Sequence, residues 1–306
     1  MSTASPNELP VGVLDGPDRP TLTAWLLLGP CVLYLVAFSI YPLIYSLRLS
    51  FTDLTAATGT GSFVWLDNYG ALLVDPMFWN AAMNSAIMVT AAVAIQVVLG
   101  VALALFFDID LKGAWIVRGI LLLPMLITPI VVGVMWRALL NPDWGLVDWS
   151  IRAIGIEPPD WLGSVGMAMV TLILVDCWQW TPFVFIIVFA RLQALPREVF
   201  EAADVDGAGP IVKFRRVILP MLMPAIVFAA VFRAVDAFRS FDLIYGLSYG
   251  GPARGTTTLA FFSFQNGFQF QNYGYAAAVA YTMLIIIAVG TTVLLRYVQL
   301  RPGQAR

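Results

Sequence analysis

Histidine is absent from the 306-residue sequence. That absence excludes Ser-His-Asp and Cys-His nucleophilic catalysis, HExxH metal sites and imidazole proton switching from this chain. Cysteine is nearly absent as well. Cys31 and Cys177 each fall inside an apolar run, so no disulfide framework is expected. Charge is scarce: 12% of residues are Asp, Glu, Lys or Arg, against about a quarter in a soluble domain. The net charge is -2 and no basic tract is present, which argues against a nucleic-acid partner. What remains is apolar: 60% of the residues, with a mean hydropathy of +0.83, which describes an integral membrane protein.

Six apolar spans can be drawn, at 22–47, 84–107, 116–140, 167–190, 218–238 and 275–298. Each is long enough to cross roughly 30 Å of hydrocarbon, so an all-α membrane protein of six transmembrane helices is expected. Pro30 and Pro42 interrupt the first span, and Pro124 and Pro129 the third. Residues 1–20 combine Pro, Gly and acids such as Glu8, Asp15 and Asp18, and read as a disordered cytoplasmic tail. The acidic start, with no A-x-A site after the first run, does not suit a secretory signal. The membrane domain is then 21–298, and 299–306 is a short cytoplasmic tail.

Orientation follows from the side on which Lys and Arg accumulate. With the N-terminus inside, eleven fall in cytoplasmic segments, five of them at Arg191, Arg197, Lys213, Arg215 and Arg216. Six, including Arg233 and Arg239, fall on the outer side or at outer span ends. Both termini are then cytoplasmic. The outward segments, 50–79, 141–166 and 241–273, are rich in Trp, Gly, Asn and Pro. Trp65, Trp79, Trp144, Trp149 and Trp161 suit an interfacial aromatic belt, or a docking surface for an external protein.

The longest charged, helix-capable interval is 191–220, RLQALPREVFEAADVDGAGPIVKFRRVILP. Pro196 suits a first helical position, Glu198 the first turn, Gly207 a helix end, and Pro210 a restart. Two short helices along the membrane surface are expected, each too short to cross it. Glu201-Ala202-Ala203, then Asp206-Gly207-Ala208, then Val217-Ile218-Leu219-Pro220 resembles the EAA loop of bacterial ABC-importer permeases, with Val217 in place of an isoleucine. Phe63 to Tyr69 (FVWLDNY) is similar to the segment after the first span of carbohydrate-uptake permeases. Gly250-Gly251-Pro252 followed by Thr256-Thr257-Thr258-Leu259 is similar to the segment before their last span. The resemblance thus covers the whole membrane body and points to the maltose-transporter-like branch.

Two other patterns lead nowhere. Gly246, Ser248 and Gly250 match G-x-S-x-G, but without histidine or a strand-turn-helix context they form a loop. Gly207 to Lys213 begins like a P-loop, yet Val212 stands where the second glycine is needed and Phe214 where Ser or Thr must bind Mg. The chain is not expected to bind ATP itself.

Polar groups inside a span are costly and face a bundle interior or a wet cavity. One cluster is Asp176, Trp178, Gln179, Trp180, Thr181, Pro182 and Phe183; the other is Arg233, Asp236, Arg239, Ser240 and Asp242. Asp236 lies three residues from each arginine, so it can sit between two guanidiniums on one helix side. A sugar needs paired hydrogen-bonding groups and an aromatic face over its C–H patches, and both clusters supply those types. The resemblance implies that Gln179, Trp180 and Phe183, with Arg233, Asp236 and Ser240, contact the solute. The other reading makes Arg233, Asp236 and Arg239 a structural ion pair. Asn84 and Gln96 read as interhelical glue, and Gly100, Ala102, Ala104 and Ala277 as close-packing positions.

What the resemblance implies is a permease subunit of an ATP-driven, binding-protein-dependent importer in a bacterial inner membrane. Its solute would be a sugar, polyol or glycerophosphate derivative. Its partners would be a second permease, two copies of an ATPase subunit and an external binding protein, with ATP and Mg held by the ATPase alone. Glu201, Ala202, Ala203, Asp206, Gly207, Leu219 and Pro220 would form the coupling contact. The alternative is a stand-alone secondary transporter or channel, for which the sequence offers only the isolated acids Asp176 and Asp236.

Overall fold

The computed structural model describes residues 22–108 and 113–299. The expected tail at 1–20, Lys112 and all but the first residue of the 299–306 tail lie outside them. Among the described residues the structure is helical, with no β-structure beyond two isolated bridges, Thr52 to Phe63 and Thr55 to Asn272.

The described residues up to Arg48 form a unit of their own. Its described part is a helical run, α1 (Leu22–Leu35), a π-helical turn Val36–Ile40, and α2 (Tyr41–Ser50), which continues into the second unit. Its apolar window from Leu26 onward buries none of its residues. The π turn ends two residues before Pro42. A proline ring clashes with the carbonyl four residues back and offers no N–H, and the widened turn accommodates both.

The second unit starts at Leu49. Its elements are α3 (Asp67–Val74), α4 (Pro76–Phe106), α5 (Ala114–Leu126), α6 (Pro129–Leu139), α7 (Leu146–Ala153), α8 (Val165–Gln193), α9 (Arg197–Val205) and α10 (Pro210–Lys213). Then follow α11 (Leu219–Phe238), α12 (Asp242–Leu247), α13 (Leu259–Phe264) and α14 (Tyr273–Gln299). Helices α4, α8 and α11 pack together at its centre. Gly100 lets α4 approach α8: a Cβ there would sit 2.7 Å from a Val184 methyl. Helix α4 begins eight residues before the span drawn from hydropathy, because Pro76 occupies its first turn and the Asp75 carboxylate accepts from Met77 N–H at 2.8 Å.

Two expectations are corrected. The third span is not one straight helix: α5 and α6 meet at 98°. Pro129 opens α6 and forces Thr128 into an extended conformation, and Ile127 is extended too. The described residues thus hold five helices able to cross a membrane, or six if this bent pair counts as one. The second surface helix is not separate either. Helix α10 runs through a π turn, Phe214–Ile218, into α11, and the whole stretch Pro210–Phe238 is one helix of 29 residues. Pro220 again follows two residues after the π turn. Trp161 is half-buried and its indole N–H donates to buried Asp148 at 3.0 Å, while Trp65, Trp79, Trp144 and Trp149 are exposed.

The bent pair is held from two sides. Helices α6 and α12 touch backbone to backbone at glycines: a Cβ on Gly133 would lie 2.8 Å from Leu243 O, and one on Gly246 2.7 Å from Ile130 O. From α8, the Gln179 amide donates to Ile127 O at 2.8 Å, satisfying a carbonyl that the break leaves without a helical partner. Asn84 on α4 holds the 250–258 loop by donating to Arg254 O and Thr257 O, each at 3.0 Å.

Candidate functional site

The buried positions of α11 are Leu222, Ile226, Ala229, Arg233 and Ala237, one helical face with an arginine in it. Arg233 is 0% exposed. It lies in the last turns of α11, and helix spacing puts it on the core side, where α4 and α8 supply its partners. Its Nε donates to Gln96 Oε1 at 3.0 Å, and Nη2 donates to both oxygens of Asp176, at 3.3 and 3.0 Å. Nη1 donates to Asp236, one turn along α11. The Gln96 amide in turn donates to Asp176 Oδ2 at 2.7 Å and to Asp176 O at 3.2 Å. A buried charge is tolerated when paired and fully hydrogen-bonded, and this one is tied across three helices.

One side of this cluster opens on a cavity of about 220 Å³. Its wall includes Pro129, Asp176, Trp180, Asp236, Arg239 and Ser240. The Arg233 guanidinium lies 4.7 Å from the centre of the Trp180 ring, a cation-π contact made from behind the wall. The Asp236 side chain is 39% exposed, and Arg239 is exposed and in no ion pair among the described residues.

The structure therefore separates the six residues that the resemblance implied. Trp180, Asp236 and Ser240 share the cavity wall. Arg233 lies behind it. Gln179 is buried on the α5–α6 break, and Phe183 stacks on Phe232 with ring centres 4.9 Å apart. Asp236 pairs with Arg233 alone, not with both arginines. Gln96, read as glue, is a full member of the buried cluster. An amide amid the apolar residues in the middle of α4 was the available signal.

The other candidate region is α9 and the turn after it. Ala203 is buried, and half-buried Phe200 packs in one cluster with Phe214, Ile218 and Leu219. Lys213 Nζ reaches both oxygens of Asp204, at 2.8 and 2.7 Å. Gly207 takes φ +74°; its N–H donates to Asp204 O at 3.1 Å, and Ala208 N–H to Ala203 O at 3.0 Å. This is a Schellman ending, which calls for glycine at that residue. Glu201, Ala202, Asp206 and Pro220 are exposed. Beside them Val205 and Ile211 are 88% and 72% exposed, an apolar patch on a charged segment. Arg191 at the end of α8 donates to Met221 O at 3.3 Å, so the two long helices are joined directly as well as through α9.

A model of the family described as binding-protein-dependent transport system inner membrane component matches residues 96–301. The chain belongs to this family. The match begins at Gln96 and takes in the buried cluster, the cavity wall and α9, and it sets aside the stand-alone transporter reading. This permease is 33% identical to the sulfoquinovosyl glycerol transport system permease SmoG of Agrobacterium fabrum, over 94% of this chain and 92% of that one. It is 30% identical to the trehalose/maltose transport system permease MalF of Thermococcus litoralis, over 91% and 94%. Its fold matches a chain of a bacterial ABC transporter involved in the import of the acidic polysaccharide alginate, with a TM-score of 0.80 at 20% identity, covering 92% of this permease and 97% of that chain.

Proposed function

We propose that this permease is one of two membrane subunits of an importer that carries a sugar or related polyhydroxy solute inward, driven by ATP hydrolysis on a separate ATPase. The observation that supports the solute class best is the cavity wall. An indole ring at Trp180, a half-exposed carboxylate at Asp236 and the Ser240 hydroxyl together offer a face for C–H patches and partners for hydroxyl groups. The sugar-related names of the relatives favour the same class.

In this reading α9 lies in the cytoplasm, where Lys and Arg accumulate, and both termini are on that side. Its exposed Glu201, Ala202 and Asp206, with Val205, form the contact to the ATPase, two copies of which serve the two permeases. An external binding protein delivers solute to the opposite face. ATP and Mg belong to the ATPase, and this chain has no nucleotide site or cofactor of its own. Closure of the ATPase dimer moves α9. Because α9 is packed on the base of α11 and joined to the end of α8, that motion tilts the two helices that carry Trp180 and Asp236. The cavity then passes between inward and outward openings, a two-state element biased by nucleotide.

Asp236→Ala in the assembled importer tests the cavity. Uptake of labelled maltose, trehalose or lactose into proteoliposomes containing the binding protein is expected to fall by about tenfold or more, as loss of a charged hydrogen-bond partner predicts. Co-purification of the ATPase should be unchanged. Unaltered half-saturation and flux would remove Asp236 from the solute path.

A further inference from the structure

Arg233 makes all of its polar contacts from behind the cavity wall. Two of its partners, Gln96 and Asp176, are buried and bonded to each other, so they form a fixed anchor between α4 and α8. The other two, Asp236 and the Trp180 ring, line the cavity alongside the buried Asp176. The guanidinium itself is fully buried and does not line it.

We propose that Arg233 is a positioning residue for solute recognition, holding the Asp236 carboxylate and the Trp180 ring in register with each other from behind the wall. This rests on the cavity being the solute site proposed above. A planar fork is suited to the task, because it can meet acceptors on three helices at once while its face lies against an indole. A lysine ammonium keeps the charge but offers neither the fork nor the flat face. Only one Asp236 oxygen is engaged, by Arg233, and the other has no partner among the described residues. The arginine therefore fixes the carboxylate and leaves an acceptor for a solute hydroxyl. The two readings of the 233–239 cluster thus divide: Arg233 with Asp176 and Gln96 is framework, and Asp236 is contact.

The test uses the purified complex with its partner subunits and has two arms. In the first, Trp180 emission is isolated as the difference between complexes with and without Trp180→Phe, and its quenching by aqueous acrylamide is measured. Arg233→Lys should raise the quenching constant at least twofold. Gln96→Met, which loosens the anchor without altering charge or the cavity wall, should raise it in the same direction, and serves if the lysine variant does not assemble. Constants unchanged in both would overturn the proposal. In the second arm, uptake of the disaccharide that the unaltered importer carries is measured for Arg233→Lys, Asp236→Asn and the pair. Each single change is expected to raise the half-saturation concentration at least tenfold, and the pair to be no worse than the more damaging single change, as for groups acting through one another. Losses that multiply would mean that Arg233 does not act through Asp236 and would overturn the proposal. Failure of the unaltered importer to carry any of the three sugars would count against the solute class, while the quenching arm still decides the positioning role.

Discussion

Gly207→Pro is expected to reduce uptake by the assembled importer to background while the chain remains in the membrane. Proline fixes φ near −65°, and Gly207 sits at +74°. It also lacks the N–H that closes the helix end onto Asp204 O. No atom lies within 4 Å of a Cβ built at this glycine, so the effect comes from the backbone and not from a clash. A graded series follows. Gly207→Asn should be mildest, since asparagine tolerates the left-handed region. Gly207→Ala should be intermediate, at a cost of about 1–2 kcal/mol for that conformation. Proline should be worst, because α9 then loses its exit angle and presents Glu201 and Asp206 in a different direction. Uptake, and the amount of ATPase that co-purifies, should fall in that order. Full uptake by the proline variant would mean that this segment does not carry the coupling.

Asp176→Leu should be the most destabilising single change in the membrane core. It leaves the buried Arg233 guanidinium with Asp236 as its one carboxylate, and breaking a buried pair from one side costs about 3–5 kcal/mol. Adding Arg233→Met removes the orphaned charge. Since an apolar replacement of a whole buried pair is often close to neutral, the double variant should recover most of the lost stability in detergent thermal denaturation. It should still transport poorly, because Asp236 and Trp180 have lost their support. A single variant as stable as the unaltered protein would show that the arginine is not confined as the structure has it.

What the sequence made readable was what local chemistry decides. Gly207 ends α9 as expected, because a glycine after an amphipathic turn is a short-range signal. Hydropathy located the membrane body for the same reason. The α5–α6 bend escaped it, since apolar residues at 116–140 fit a straight helix equally well. The 98° angle is set by Pro129, the extended Thr128, and a hydrogen bond from Gln179 some fifty positions away. That Arg233 faces the bundle interior was readable from its place within a span, but its partners on other helices were not. Its partners Gln96 and Asp176 lie 137 and 57 residues distant, and only the packing of α4 and α8 brings them together. Likewise, Pro210 promised a new surface helix, and the π turn before Pro220 carried it instead into α11.

The most direct measurement is solute accumulation in liposomes, made with the purified chain alone and with the complete assembly of second permease, ATPase and binding protein. Accumulation of a labelled disaccharide only with the full assembly, and only when ATP is supplied on the ATPase side, is the predicted result. Accumulation by this chain alone, with neither nucleotide nor partner subunits, would contradict it.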